Sequence, residues 1–99
     1  MKINNKKILL VGGSGFIGHN LALFLKKKET IPIIVDSLSI NNLYSIKDEE
    51  IKNKNLYSSI LNSRIDLIKK NKIEFIIEDV RNHDLILNIY NKIKPDIII

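Results

Sequence analysis

The fold of this chain is decided by residues 8–18, which read Ile8-Leu9-Leu10-Val11-Gly12-Gly13-Ser14-Gly15-Phe16-Ile17-Gly18. A short apolar run ends in a cluster of glycines, and an amphipathic segment begins immediately after it. This pattern predicts a buried strand, a tight turn and the first turn of a helix.

Three of these glycines have distinct physical roles in such a turn. Gly12 lets the chain leave the strand sharply, because glycine adopts backbone angles that other residues avoid. Gly15 has no side chain, so a diphosphate can lie against the main chain, and Gly18 lets the helix pack close to the strand. The free N–H groups at the start of the helix then face the anion. The turn is therefore a candidate dinucleotide-binding site.

Other glycine-rich sites fit the sequence less well. A P-loop needs a lysine and then a serine or threonine after its last glycine, but His19 and Asn20 follow Gly18. An S-adenosylmethionine methyltransferase would have a glycine where Ile17 stands. That class and an ordinary turn without a ligand stay open as alternatives. Two dinucleotide-binding spacings fit together, Gly13-x-Gly15-x-x-Gly18 and Gly12-x-x-Gly15-x-x-Gly18.

Length and composition narrow the class of protein further. The chain has 99 residues, of which 44% are hydrophobic, enough to form a buried core. It has no cysteine, which excludes disulfides and thiolate metal sites, and no apolar run approaches the roughly 18 residues of a membrane span. The net charge of +5 comes mostly from lysines without interleaved aromatic residues, which indicates a solvated surface. We therefore expect a cytoplasmic protein without a nucleic-acid or membrane partner and without a metal.

Strand-like and helix-like segments alternate along the chain as β-α-β-α-β-α-β. This order predicts an α/β fold, a Rossmann-type doubly wound parallel sheet with strand order 3-2-1-4. The link after the second strand is longer than a crossover requires, so we expect an insertion after Asn41. Because the sequence stops inside the fourth strand, we expect residues 1–99 to be the N-terminal part of a dinucleotide-binding domain. The predicted strands are 6–11, 31–36, 73–78 and 96–99, and the predicted helices are 15–28, 55–70 and one from the N-cap Asn82 to Pro95.

The apolar spacing also predicts which face of each helix is buried. In the second helix, Arg64 and Lys69 are expected on the outer face. The residues expected to face the core are Phe16, Ile17, Leu21, Phe24 and Leu25 in the first helix, Leu56, Ile60, Leu61, Ile65 and Ile68 in the second, and Leu85, Ile86, Ile89 and Ile93 in the third.

Two aspartates close neighbouring strands of the predicted sheet. Asp36 ends the second strand, near the position, about 20 residues after the last glycine, that is expected for the acid that binds the adenosine ribose. A carboxylate there accepts hydrogen bonds from ribose hydroxyls and repels a 2′-phosphate, which favours NAD over NADP. Asp79 ends the third strand over the same edge, where it can accept from the adenine amino group with Val80 against the ring. A solvated aspartate at a strand end is the alternative for both.

Tyr90 and Lys94 match the Tyr-x-x-x-Lys pair of the short-chain dehydrogenases. Both lie late in the third predicted helix, whose C-terminal end should lie at the edge opposite the ligand. We therefore interpret the match as accidental and assign no catalytic residue within the chain. His19, beside the expected diphosphate, and His83 are interpreted as structural or surface residues.

Taken together, these segments make the chain resemble the extended short-chain dehydrogenases. More narrowly, it resembles the NAD-dependent epimerase/dehydratase family that acts on nucleotide sugars. The resemblance runs over nearly all 99 residues, and the Gly-Phe-Ile-Gly run is fairly specific to that family. The segments that carry it are Gly12-Gly13-Ser14-Gly15-Phe16-Ile17-Gly18, Asp36-Ser37-Leu38-Ser39, Asp79-Val80-Arg81 and Lys94-Pro95-Asp96.

The resemblance implies that NAD is the cofactor and that the chain carries only the cofactor half of the enzyme. The family's Ser/Thr, its Tyr-x-x-x-Lys and its nucleotide-sugar region follow the fourth strand, so the 99-residue piece alone is expected to be inactive. The whole enzyme would oxidise a sugar hydroxyl transiently, and a homodimer is compatible with the resemblance. A non-catalytic dinucleotide-binding regulatory module is the alternative. The residues that the resemblance assigns to the cofactor are Gly12, Gly15 and Gly18 in the turn, the backbone N–H groups of Phe16 and Ile17 at the diphosphate, Asp36 at the ribose, Asp79 and Val80 at the adenine, and Ser37, which follows Asp36.

Overall fold

The computed structural model describes residues 3–37 and 54–99, in which strands and helices alternate as predicted. Their bounds agree closely with the sequence-based prediction. The insertion expected after Asn41 falls within residues 38–53, outside the described residues. The elements are β1 (Lys7–Val11), α1 (Phe16–Lys27), β2 (Ile31–Asp36), α2 (Lys54–Lys70), β3 (Glu74–Ile77), α3 (His83–Ile93) and β4 (Ile97–Ile98).

The four strands form one parallel sheet in the order β3-β2-β1-β4. β1 is paired on both sides, with β2 from Lys7↔Ile31 to Val11↔Val35 and with β4 at Ile8↔Ile97 and Leu9↔Ile98. The predicted class and strand order are therefore confirmed. Because the strands are parallel, the glycine-rich turn after β1 and the residues that end β2 and β3 share one edge of the sheet.

Helices cover both faces of the sheet, and each face has its own apolar cluster. The middle residues of β1, Ile8, Leu9 and Leu10, are at most 3% exposed, as expected for a parallel strand buried on both sides. The first cluster joins β1 and β2 to α1 and α2 through Ile8, Leu10, Ile34, Ala22, Leu25, Ile68 and Ile73. The second joins Leu9, Ile33 and Val35 to Ile86, Ile89 and Ile93 of α3. Within the described residues, no helix is both long and apolar enough to cross a membrane.

The predicted inner face of α1 is wrong for three of its five residues. Phe16, Ile17 and Phe24 are 71%, 78% and 55% exposed. The buried residues of this helix are His19, Ala22 and Leu25. Gly18 lies against the backbone of Gly13, and positions 18 and 22 share a helical face. The close packing of Gly18 therefore turns Ala22 inward and Phe16 and Ile17 outward.

The ends of α3 follow the predicted signals. The Asn82 side chain accepts a hydrogen bond from the Leu85 N–H at 3.3 Å, as an N-cap does. The helix ends at Lys94, which adopts the left-handed conformation with φ 52°. Leu85 was expected to face the core but is 36% exposed, because it flanks the stripe of Ile86, Ile89 and Ile93 that contacts the sheet.

Candidate functional site

The turn after β1 has the backbone geometry that its first glycine predicts. Gly12 has φ +72°, a left-handed conformation that side chains disfavour. Its N–H donates to the Val35 carbonyl at 2.8 Å, and the Gly15 N–H donates back to the Gly12 carbonyl at 3.3 Å. The chain therefore leaves the sheet in one short turn, as predicted.

Two other glycines are required by close packing, Gly18 where α1 approaches the turn and Gly13 where the turn lies against β1 and β2. A Cβ at Gly18 would lie 2.7 Å from the Gly13 Cα, which confirms the predicted close approach of the helix. A Cβ at Gly13 would lie 2.9 Å from the Leu10 Cβ and 3.0 Å from the Ile34 side chain. No role was predicted for Gly13. Its occurrence in one of the two overlapping glycine spacings was the sequence signal that could have indicated one.

Gly15 differs from these glycines, because nothing in the described protein requires it. Its backbone is extended, with φ −67° and ψ 176°, which any residue adopts. Of the described atoms, a Cβ there would meet only the Gly12 carbonyl oxygen, at an ordinary 3.6 Å. The space beside Gly15 is open, as the close approach of a diphosphate to the backbone would need.

The N-terminus of α1 is open in the same way. No side chain in the described part of the chain caps it, and its first turn contains no acidic residue. The first N–H groups of a helix have no partner within the helix, and the helix dipole makes this end positive. The N–H groups of Phe16 and Ile17 therefore belong to an end of α1 that suits an anion.

His19 is a buried residue that stabilises this first turn. Its Nδ1 lies 2.8 Å from the Gly15 carbonyl oxygen, and since a carbonyl only accepts, Nδ1 carries the proton and donates. The His19 ring packs edge-on against Phe16 at 6.0 Å. His19 is therefore a structural residue, as one of the two predicted interpretations had it, and not a solvent-exposed one.

Asp36 is bound to the glycine-rich turn through Ser14. Both the backbone N–H and the hydroxyl of Ser14 donate to Asp36 Oδ2, at 3.1 Å and 2.5 Å. The carboxylate that was predicted to bind a ribose therefore also positions the turn. Ser37 follows it and is half-buried at the same edge. Nothing in the glycine spacing indicated the contact between Ser14 and Asp36, since it joins residues 22 positions apart.

Arg64 was expected on the outer face of α2, and this prediction is wrong. Its Nη1 donates to the Ser14 carbonyl at 3.3 Å, and the residue is half-buried. A signal was present in the sequence, because Arg64 lies three residues after Leu61 and four before Ile68, which are both buried. The expected inner face of α2 is wrong for Leu56 and Ile60, which are 59% and 45% exposed.

Asp79 follows β3 at the predicted edge, but its carboxylate is paired with Arg81. Oδ1 accepts from the Arg81 backbone N–H at 2.9 Å, and Oδ2 accepts from Arg81 Nη2 at 2.6 Å. The sequence reasoning missed this pair, although an Asp-x-Arg spacing in a turn allows it. Val80, between them, is 39% exposed. An adenine amino group at Asp79 would have to share the carboxylate with Arg81.

The pairing with Arg81 gives a testable titration. The hydrogen bonds from the Arg81 guanidinium lower the pKa of Asp79 to about 2. Because this pKa is depressed, the ion pair adds stability above the ordinary carboxyl pKa and loses it as the pH falls through about 2. We expect the Asp79 carboxyl carbon to titrate near 2 by NMR, and Arg81→Leu to return the midpoint toward 3.8. The same midpoint in both proteins would contradict the pairing in solution.

Tyr90 and Lys94 lie at the opposite edge of the sheet from the turn. The Lys7 ammonium donates to the Ile93 carbonyl at 3.2 Å, and the Lys7 N–H donates to Asp96 Oδ2 at 2.8 Å. The C-terminal end of α3 is therefore beside the first residue of β1. The glycine-rich turn is at the other end of that strand, about 13 Å away. This placement agrees with the interpretation of the Tyr-x-x-x-Lys match as accidental.

Together these features define a Rossmann-type α/β unit, with a glycine-rich turn where the strand order reverses between β1 and β4. The family model described as polysaccharide biosynthesis protein matches residues 8–99, and the chain belongs to that family. This family and the two relatives described next confirm the predicted resemblance to nucleotide-sugar epimerases and dehydratases.

Two relatives show how much of a whole enzyme the chain spans. It is 37% identical over 89 residues to a dTDP-D-glucose 4,6-dehydratase of Dictyostelium discoideum, covering 76% of this chain and 20% of that protein. A solved structure, the UDP-Glc/GlcNAc 4-epimerase of Campylobacter jejuni, superposes with a TM-score of 0.63 at 26% identity. The match covers 94% of this chain and 23% of that one. The chain thus spans about a fifth of the length of the relatives it matches.

Proposed function

We propose that these residues are the NAD-binding part of a nucleotide-sugar epimerase or dehydratase that works by transient oxidation of a sugar hydroxyl. The observation that carries the proposal is Gly15, a glycine that the packing of the described residues does not require and beside which those residues leave open space. The two relatives supply the substrate class, since the name of each contains a nucleotide sugar. The catalytic machinery would belong to other residues of the whole protein, which we propose is cytoplasmic.

The described residues offer suitable groups for the diphosphate, the adenosine ribose and the adenine of NAD. The turn from Gly12 to Gly18 and the uncapped N-terminus of α1 would hold the diphosphate. Asp36, with Ser37 beside it, would accept from the adenosine ribose, while its Oδ2 holds Ser14. Asp79, ionised at neutral pH, would accept from the adenine amino group, with Val80 against the ring.

Bound NAD would supply a hydride acceptor for the sugar carbon that bears the hydroxyl group. The turn, Asp36 and Asp79 would fix the adenosine and diphosphate, so the nicotinamide end would project past the edge of the sheet toward the substrate. A nucleotide sugar at the nicotinamide would therefore bind in a substrate site formed largely by residues outside this unit.

Transient oxidation predicts how much NAD the reaction consumes for each sugar that is converted. The whole protein should convert UDP-glucose or dTDP-glucose with NAD present in much smaller amount than the sugar, because the hydride taken from the sugar is returned to it. The product is measured by NMR, and reduced nicotinamide by its absorbance. Accumulation of one reduced nicotinamide per sugar would contradict the proposal, and NAD binding without conversion of any sugar would favour a regulatory module.

Asp36→Ala should weaken NAD binding and narrow its advantage over NADP. The variant loses a hydrogen bond to a charged group, so the affinity for NAD should fall about 10- to 100-fold. NADP should lose less, because the repulsion of its 2′-phosphate disappears together with the carboxylate. Calorimetric titration of the whole protein measures both affinities. Asp36→Asn keeps an acceptor for Ser14 and removes only the charge, so it distinguishes the effect of the charge from the effect of supporting the turn. Equal affinity of the unaltered protein for NAD and NADP would show that Asp36 does not select between them.

A further inference from the structure

Arg64 is a charged residue whose position on α2 is unusual, because it lies on the apolar side of the helix. It is half-buried on α2, between Leu61, which is 7% exposed, and Ile68, which is fully buried. The positions three and four residues away on either side are Ile60, Leu61, Leu67 and Ile68, so no acid on its own helix can pair with it. A surface lysine or arginine would normally lie on the opposite face.

The guanidinium group of Arg64 is only partly used by the protein. It has five N–H donors, and its single hydrogen bond within the described residues is the 3.3 Å contact from Nη1 to the Ser14 carbonyl. No carboxylate of residues 3–37 or 54–99 forms an ion pair with it. Arg81 is the contrasting case, because Asp79 accepts from both its side chain and its backbone.

The contact with Ser14 indicates where the N–H donors of Arg64 lie relative to the proposed NAD site. Ser14 donates twice to Asp36, the residue at the ribose end of the proposed NAD site. Arg64 therefore reaches the turn at the residue that contacts Asp36 and that directly precedes Gly15, the N-cap of α1. An arginine near the ribose acid is the arrangement that accommodates a 2′-phosphate, and a guanidinium forms strong, directed hydrogen bonds to phosphate oxygens.

We propose that Arg64 is a specificity-determining residue that binds the 2′-phosphate of NADP and so limits the preference for NAD that Asp36 creates. The inference rests on the proposed function, because it needs the dinucleotide to bind at this turn. It goes beyond that function in giving the site measurable affinity for both nucleotides. Asp36 makes the affinity for NAD higher than the affinity for NADP, and Arg64 reduces the difference between these two affinities.

Arg64→Met tests the proposal, because methionine keeps the apolar stem and removes the donors. Calorimetric titration of the whole protein should show the affinity for NADP falling about 10-fold or more. The affinity for NAD should stay within about twofold. Arg64→Lys, which keeps the charge, should retain most of the NADP affinity. Lys69→Met, an exposed residue of the same helix, removes an equal charge and should change neither affinity.

Several results would overturn the proposal. An equal loss of both affinities in Arg64→Met would mean that Arg64 only supports the turn through Ser14. Unchanged NADP binding, or a similar loss in Lys69→Met, would remove the specific role of Arg64. Circular dichroism and thermal melting verify that each variant is folded. If Arg64→Met is not, Arg64→Gln carries the test by the same criteria, with Arg64→Lys as the control that keeps the charge. Failure of the unaltered protein to bind either nucleotide would overturn the proposed function and this inference with it.

Discussion

Gly15→Val is expected to abolish NAD binding by the whole protein and to leave its fold intact. The valine side chain would fill the space in which the diphosphate approaches the backbone. It would also separate the diphosphate from the N–H groups of Phe16 and Ile17. Each hydrogen bond to a charged group contributes about 1.5–3 kcal/mol, so losing two weakens binding at least about 100-fold.

The fold should survive this substitution because of the surroundings of Gly15. Its extended φ of −67° suits valine, and among residues 3–37 and 54–99 the only atom near its Cβ is the Gly12 carbonyl oxygen at 3.6 Å. Calorimetric titration with NAD and a thermal melt of the same sample measure the two halves of the prediction. Normal NAD binding by Gly15→Val would show that the anion does not lie on this turn.

Gly18→Val is expected to have the opposite effect and to destabilise the fold itself. Its Cβ would lie 2.7 Å from the Gly13 Cα and 2.9 Å from the Gly13 carbonyl carbon. Both are backbone atoms, so α1 would have to move away from the end of β1. Overpacking of this kind, against backbone rather than a flexible side chain, should cost about 3 kcal/mol or more.

The two glycine variants are matched controls for each other, since each places the same side chain in the same turn. Denaturant unfolding should show a large loss of stability for Gly18→Val and little change for Gly15→Val. Equal destabilisation by both would contradict the distinction between a glycine required by packing and one required by a ligand. A fully stable Gly18→Val would contradict the close contact between α1 and β1.

The features that were predictable from the sequence are those that short-range chemistry determines. The run from Ile8 to Leu10 predicts a strand buried on both faces, and Gly12 predicts the sharp exit that its φ of +72° confirms. Asn82 predicts the start of α3 through the hydrogen bond that its side chain accepts. The order of strands then follows from the alternation of strands and helices and from the right-handed crossover rule.

The features that were missed depend on which surfaces meet in three dimensions. The inner face of α1 was wrong because hydrophobicity alone placed Phe16 and Ile17 inward, whereas the contact of Gly18 with the strand determines the rotation of the helix. Arg64 was assigned to the surface because its charge outweighed its position in the apolar stripe. Its contact with Ser14 joins residues 50 positions apart, which no local pattern reveals. The contact from Ser14 to Asp36 escaped prediction for the same reason.

Direct titration of NAD into the unaltered whole protein tests the central claim, that the turn after β1 and Asp36 form a dinucleotide site. Isothermal calorimetry should show saturable binding of one NAD per chain, with NADP binding more weakly at the same site. Absence of saturable NAD binding to the folded protein, or binding that Gly15→Val leaves unchanged, would contradict the claim.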